Sequence, residues 1–184
     1  MSDHSISIVP RQLTYRGDRE SKASEIVQWL IEEQAIEPTL NDCDWGVPGI
    51  YRFKENFARF SSYPQYLCLD LRLSGLEVIM KRTVFDTMAN GLEDVRCPFC
   101  RSEIAEEMFF DLIENWWHEK SDAHALTCPS CGETVSLDAI ITEPEWGASD
   151  LGFTFWNCPP FIDEFITEFE KRLESPVWVV YRHI

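Results

Sequence analysis

Two four-residue segments, Cys97-Pro-Phe-Cys100 and Cys128-Pro-Ser-Cys131, constrain this chain more than any other part of it. A C-x-x-C turn presents two sulfurs to one ion, and two such turns supply the four thiolates of a closed tetrahedron. Proline follows the first cysteine of each pair and stiffens the turn. Gly132, directly after the second pair, provides the positive φ that such a knuckle calls for. Between the pairs lie 27 residues, more than the usual 15–20 or so; a helix over 103–118 accounts for the excess.

Cys97, Cys100, Cys128 and Cys131 are therefore read as ligands of a structural Zn2+. A catalytic zinc keeps one position for water beside three protein ligands, and four cysteines leave none. His118 and His124 lie between the pairs and are alternatives for one ligand, but their spacing does not call for them. They read as exposed polar residues at a helix end. Redox use of each C-x-x-C is a further option; proline at the same place in both pairs favours matched halves of one metal site.

The chain has seven cysteines, an odd number, and shows no secretory leader and no run of about 18 apolar residues. A cytoplasmic protein with no membrane span is expected, with cysteines used for metal or burial and not for disulfides. Cys43, Cys68 and Cys158 are left over, and a small buried hydrophobe is the expected role of each. Cys68 is the one that local pattern explains least.

The formal net charge is −16, unevenly spread. Residues 1–90 hold 10 Lys/Arg and 13 Asp/Glu, residues 91–184 hold 6 and 19. Such a surface repels phosphate backbones and attracts basic proteins.

The rest of the pattern predicts an α+β domain. Ile6–Pro10 reads as a strand, and residues 19–35 as a helix capped by Asp18, with Ala23, Ile26, Val27, Leu30 and Ile31 on one face. Residues 41–49 are turn chemistry, and Ile50, Phe53, Phe57 and Phe60 recur at helical spacing. Leu67, Leu69, Leu71 and Leu73 alternate with polar residues as in a half-buried strand, followed by a second strand over Leu76–Lys81. Phe153–Trp156 reads as a strand. Pro159 and Pro160 open a helix bearing Phe161, Phe165, Phe169 and Leu173, and Pro176 stops it before a final strand. The order strand, helix, strand, strand, helix, strand predicts a ferredoxin-like antiparallel sheet with helices on one face. Residues 1–75 would be the first part of that core, 76–150 a zinc-ribbon insertion, and 151–184 the strand-helix-strand that completes it.

The stretch "CPFC…WWHE…CPSCGETVSLDAI…GFTFWNC", ending in "VWVVYRHI", resembles a group of small uncharacterised bacterial proteins with an embedded four-cysteine zinc ribbon. The resemblance covers residues 95–184, and its specific element is the cysteine pattern. It implies the same four metal ligands and this fold, and carries no activity.

Three functional classes remain. An acidic zinc-binding protein acting through protein–protein contacts with a basic partner, such as a toxin-neutralising immunity-type inhibitor, fits the charge. A nucleic-acid-associated zinc ribbon needs a basic surface, yet residues 101–127 hold Arg101 and Lys120 against seven acids. Only Arg11, Arg16, Arg19 and Lys22 could assemble a basic face. An enzyme would draw on Cys43, Cys68 or His118, but no G-x-S-x-G, P-loop or G-x-G-x-x-G motif occurs.

Overall fold

The computed structural model describes residues 3–42, 49–118 and 124–184. Six strands build its largest element: β1 (His4–Pro10), β2 (Ile36–Asn41), β3 (Ile50–Phe53), β4 (Gly75–Ile79), β11 (Gly152–Trp156) and β12 (Val177–His183). They form one antiparallel sheet in the order β12-β1-β11-β4-β3-β2. Alternate side chains of a strand point to opposite faces, so Ile6 and Ile8 of β1 face one way and Ser5, Ser7 and Val9 the other.

Two helices cover the first face. In α1 (Arg19–Glu32) the Asp18 side chain accepts from the N–H groups of Glu20 and Ser21, as its N-cap position predicts. The helix buries Ala23, Ile26, Val27, Trp29 and Leu30. In α3 (Asp163–Leu173) Phe165, Phe169 and Leu173 form the buried stripe, with acids in the first turn and Lys171 and Arg172 in the last. Between these helices and the sheet lies an aromatic core. Phe53 stacks on Phe57 at 4.0 Å between centroids, and Phe155 meets Phe161 edge-on at 5.0 Å. Burying such a ring contributes about 1.5–3 kcal/mol, so this cluster dominates the stability of the sheet half.

The structure departs from the local pattern in three places. Ile50–Phe53 is a strand and only Glu55–Phe60 is helical, as a short 3-10 turn. Pairing with β4 decides this: Gly75 sits so close that a Cβ there would lie 2.4 Å from the Tyr51 carbonyl oxygen. The leucine run 67–73 is not a strand. It is a series of bends whose carbonyls at Leu69, Leu71 and Arg72 accept from the Arg52 guanidinium at 2.7–3.1 Å, so one side chain replaces a ladder. Pro159 and Pro160 precede the helix without opening it, because the segment is tied to residues 60–62 through Ser62 N–H to Pro160 O and Ile162 N–H to Phe60 O. The stretch 43–48 lies outside the described residues.

The chain leaves the large sheet after Ile79, since β4 pairs with both β3 and β11. It then builds a second lobe from β5 (Thr83–Phe85), β6 (Asp94–Arg96), α2 (Glu106–Trp117), β7 (Ala125–Thr127), β8 (Thr134–Ser136), β9 (Ile141–Glu143) and β10 (Gly147–Ser149). Three two-stranded pairings, β5–β10, β6–β9 and β7–β8, frame it. Its core is its own: Ile104, Phe109, Leu112, Ile113 and Trp116 pack with Val95, Val135 and the buried cysteines. The helix expected over 103–118 is present as α2. A small third cluster of Val9, Phe85, Trp178 and Val180 joins the lobe to the second face of the sheet.

Candidate metal centre

Each cysteine pair follows a short strand, the first pair after β6 and the second after β7. The two turns are built alike. Cys97 N–H donates to Ser102 O at 3.0 Å, and Cys128 N–H to Glu133 O at 2.8 Å. Within each turn the residue after the second cysteine donates back to the first: Arg101 to Cys97 O at 3.0 Å, Gly132 to Cys128 O at 2.9 Å. Both of those residues are left-handed, with φ of 63° at Arg101 and 77° at Gly132. The glycine was legible as a knuckle residue. Its counterpart was not, because arginine gives no sign of adopting that conformation.

The four sulfurs converge: all lie within 4.8 Å of one another. The two cross-pair distances, Cys97 to Cys131 and Cys100 to Cys128, are 3.9 and 3.8 Å. A disulfide would need about 2.05 Å. A tetrahedron of thiolates with metal–sulfur bonds near 2.3 Å has edges of about 3.8 Å, so the donor set fits a single ion. Cys97 and Cys128 are buried, Cys100 and Cys131 exposed, which puts such an ion at the surface of the lobe.

The backbone favours thiolates. The Ser102 side chain and N–H beside Cys100 hold its thiol down to about 6. The N–H groups of Cys131 and Ser130 lower that of Cys128. The Glu133 N–H acts in the same sense on Cys131, but desolvation and the three neighbouring sulfurs prevail and push it up to about 12. A divalent cation bound by four thiols this close would displace their protons.

The other candidates stand apart from this centre. His118 is exposed and closes the C-terminus of α2, its N–H on Glu114 O. His124 is half-buried instead of exposed, and its Nδ1 has no hydrogen-bond partner among the described residues. Cys68 is exposed, its Sγ 3.6 Å from Tyr66 O. Cys158 is buried beside the aromatic core, and burial pushes its thiol up. Cys43 and Lys120 lie outside the described residues. Of the four cations that could form a basic face, Arg11 pairs with Glu145, Arg19 with Asp150 at 3.1 Å and Lys22 with Glu25 at 2.7 Å, while Arg16 is exposed. Among the described residues no helix is long and apolar enough to cross a membrane.

Comparisons with protein-family models, with curated proteins and with solved structures found no match for this chain.

Proposed function

We propose that this chain is a zinc-binding protein that acts through contacts with a basic protein partner, in the manner of an immunity-type inhibitor of a toxin. The four-sulfur cluster carries the metal part of the reading. Four thiolates close the coordination sphere, leaving no position for a water, and that is the signature of a structural ion. Zinc is an ion that an all-thiolate tetrahedron favours. The zinc centre and α2 are read as a zinc-ribbon insertion in a ferredoxin-like core. In support, β12-β1-β11-β4 follow the order of the four strands of such a core, and β2 and β3 extend it as a hairpin.

The partner reading rests on charge. Residues 91–184 hold 19 acids against 6 bases, and the paired arginines and lysine of the N-terminal region leave little free positive charge for a phosphate backbone. An acidic face steers onto a basic cleft and speeds association at low salt.

Two measurements test the two parts. Elemental analysis of the purified chain should find one zinc per chain, and a strong chelator should unfold the second lobe, seen as loss of the near-ultraviolet signal of buried Trp116. A far-ultraviolet spectrum and melting curve indifferent to chelator would overturn the metal reading. A tagged pull-down after nuclease treatment, at low and moderate salt, should recover one basic protein in stoichiometric amount, weakened by salt. Recovery of nucleic acid in its place from an untreated sample would overturn the partner reading.

A further inference from the structure

The sheet face turned away from α1 and α3 has a chemistry of its own. The registers place side chains in rows across it: Arg182, Ser5 and Trp156 in one, Val180, Ser7, Thr154 and Glu77 in the next, Trp178 and Val9 in the third. The third row is apolar and packs against Phe85 of β5. The first two carry three small hydroxyl residues in the middle of a sheet whose opposite face is isoleucine and phenylalanine. Small side chains there leave a recess of about 240 Å3, floored by Ser5, Ser7 and Thr154 and walled by Glu77, Trp156 and Arg182.

The polar groups of this recess are only partly matched. Ser7 Oγ and Thr154 Oγ1 bond each other at 2.9 Å. Ser5 is 1% exposed, and its Oγ has no hydrogen-bond partner among the described residues. Arg182 forms an ion pair with Asp86 at 3.6 Å, and its Nε makes no hydrogen bond among the described residues. Trp156 Nε1–H donates to Glu77 Oε2 at 2.9 Å and so fixes the carboxyl at one wall. A buried hydroxyl without a partner is destabilising, and a protein retains it where something else completes it.

We propose that this recess binds a zwitterion of the size of a free amino acid, its carboxylate held by Arg182 and the Ser5 hydroxyl and its ammonium by Glu77. The charges select this class. Glu77 and Asp86 stand against Arg182 and Lys81 around one small space. Inorganic phosphate would meet the carboxylates, a simple cation would meet the guanidinium, and a neutral sugar would bring no charge to either wall. A molecule with both charges satisfies both walls. The volume admits roughly ten non-hydrogen atoms at protein packing density. Burial raises the pKa of Glu77 against the pull of the Trp156 hydrogen bond and of Lys81 and Arg182; a bound ammonium supplies the counter-charge that burial withholds. This site is independent of the metal centre and of any protein partner.

Isothermal titration of the full, metal-loaded chain with each of the twenty common amino acids tests it, with inorganic phosphate and glucose as probes of the other classes. One amino acid, or a chemically related few, should bind, and Glu77→Gln should weaken that binding at least about tenfold while still accepting from Trp156. Ser5→Val fills the floor and should abolish it; if that variant does not fold, Ser5→Ala should weaken binding severalfold. No heat with any amino acid at about 10 mM, affinity unchanged in Glu77→Gln, or binding of phosphate or glucose alone would each overturn the proposal.

Discussion

Replacing Gly152 with alanine measures how tightly the second lobe is seated on the sheet. Gly152 opens β11 and pairs with Ile79. A Cβ at this position would lie 2.2 Å from Phe85 Cζ and 2.8 Å from Cε1. Carbon atoms rest at about 3.5 Å or more, so the ring must withdraw by more than about 1 Å. It has little room, because Phe85 is buried with Val9, Trp178 and Val180. Overpacking of a filled site costs about 1–3 kcal/mol, and a clash this short belongs in the upper half of that range. Alanine also stiffens the unfolded chain, which returns about 0.4–1 kcal/mol. The net loss is about 1–2.5 kcal/mol, or roughly 2–10 °C in melting temperature for a chain of this size. Urea and thermal unfolding followed by circular dichroism read both quantities. Combining Gly152→Ala with Phe85→Leu should cost less than the sum of the single changes, with a coupling of at least about 0.5 kcal/mol. A neutral Gly152→Ala, or strict additivity of the pair, would show that the ring does not lie over the glycine.

Three further outcomes are expected. Gly132→Ala should destabilise the second lobe by about 1 kcal/mol and Arg101→Gly should stabilise it slightly, since both positions are left-handed; chemical denaturation showing the same sign for both would contradict the matched-turn geometry. The Glu77 carboxyl, raised by burial above its ordinary 4.5, keeps a proton in the folded chain that the unfolded chain has already lost, so stability falls as pH climbs from 4.5 through the folded value. Glu77→Gln should lack that fall, and parallel pH–stability curves for the two proteins would refute it. Cys68 is exposed and Cys158 buried, so alkylation of the native protein mapped by peptide mass should mark the first and spare the second until the chain unfolds; early labelling of Cys158 would place it elsewhere than in the core.

The four-cysteine cluster was legible because its chemistry is local: two sulfurs per turn need only two spacer residues and a stiff proline, and Cys97 to Cys100 and Cys128 to Cys131 carry that in eight letters. Both long helices of the sheet half were legible for a similar reason. Asp18 caps one, and a phenylalanine every fourth residue stripes the other. The assignments that failed are ones that a distant partner decides. The leucines at 67–73 alternate like a strand, but the Arg52 guanidinium gathers their carbonyls from another part of the chain. Ile50 and Phe53 share the spacing of a helix with Phe57 and Phe60, yet a close backbone approach at Gly75 draws them into a sheet. The hydroxyl-lined recess was invisible, because Ser5, Ser7 and Thr154 meet only through the pairing of β1 with β11.

That pairing also bears on the order of events during synthesis. β1 precedes every other described strand, yet its neighbours on both sides are β11 and β12, which begin at Gly152 and Val177. It must wait for both of them. The second lobe need not wait, because all its ladders close between Thr83 and Ser149. Once that lobe has folded, Thr83 and Ser149 are paired partners, and the 72 residues separating Ile79 from Gly152 act as a short connection. Closing a free loop of that length costs roughly 2–3 kcal/mol more than closing a tight one. An ion in the four-sulfur cluster would therefore set how fast a sheet assembles that contributes none of its ligands: withhold the metal from the nascent chain, and β4 and β11 must find each other by unaided diffusion.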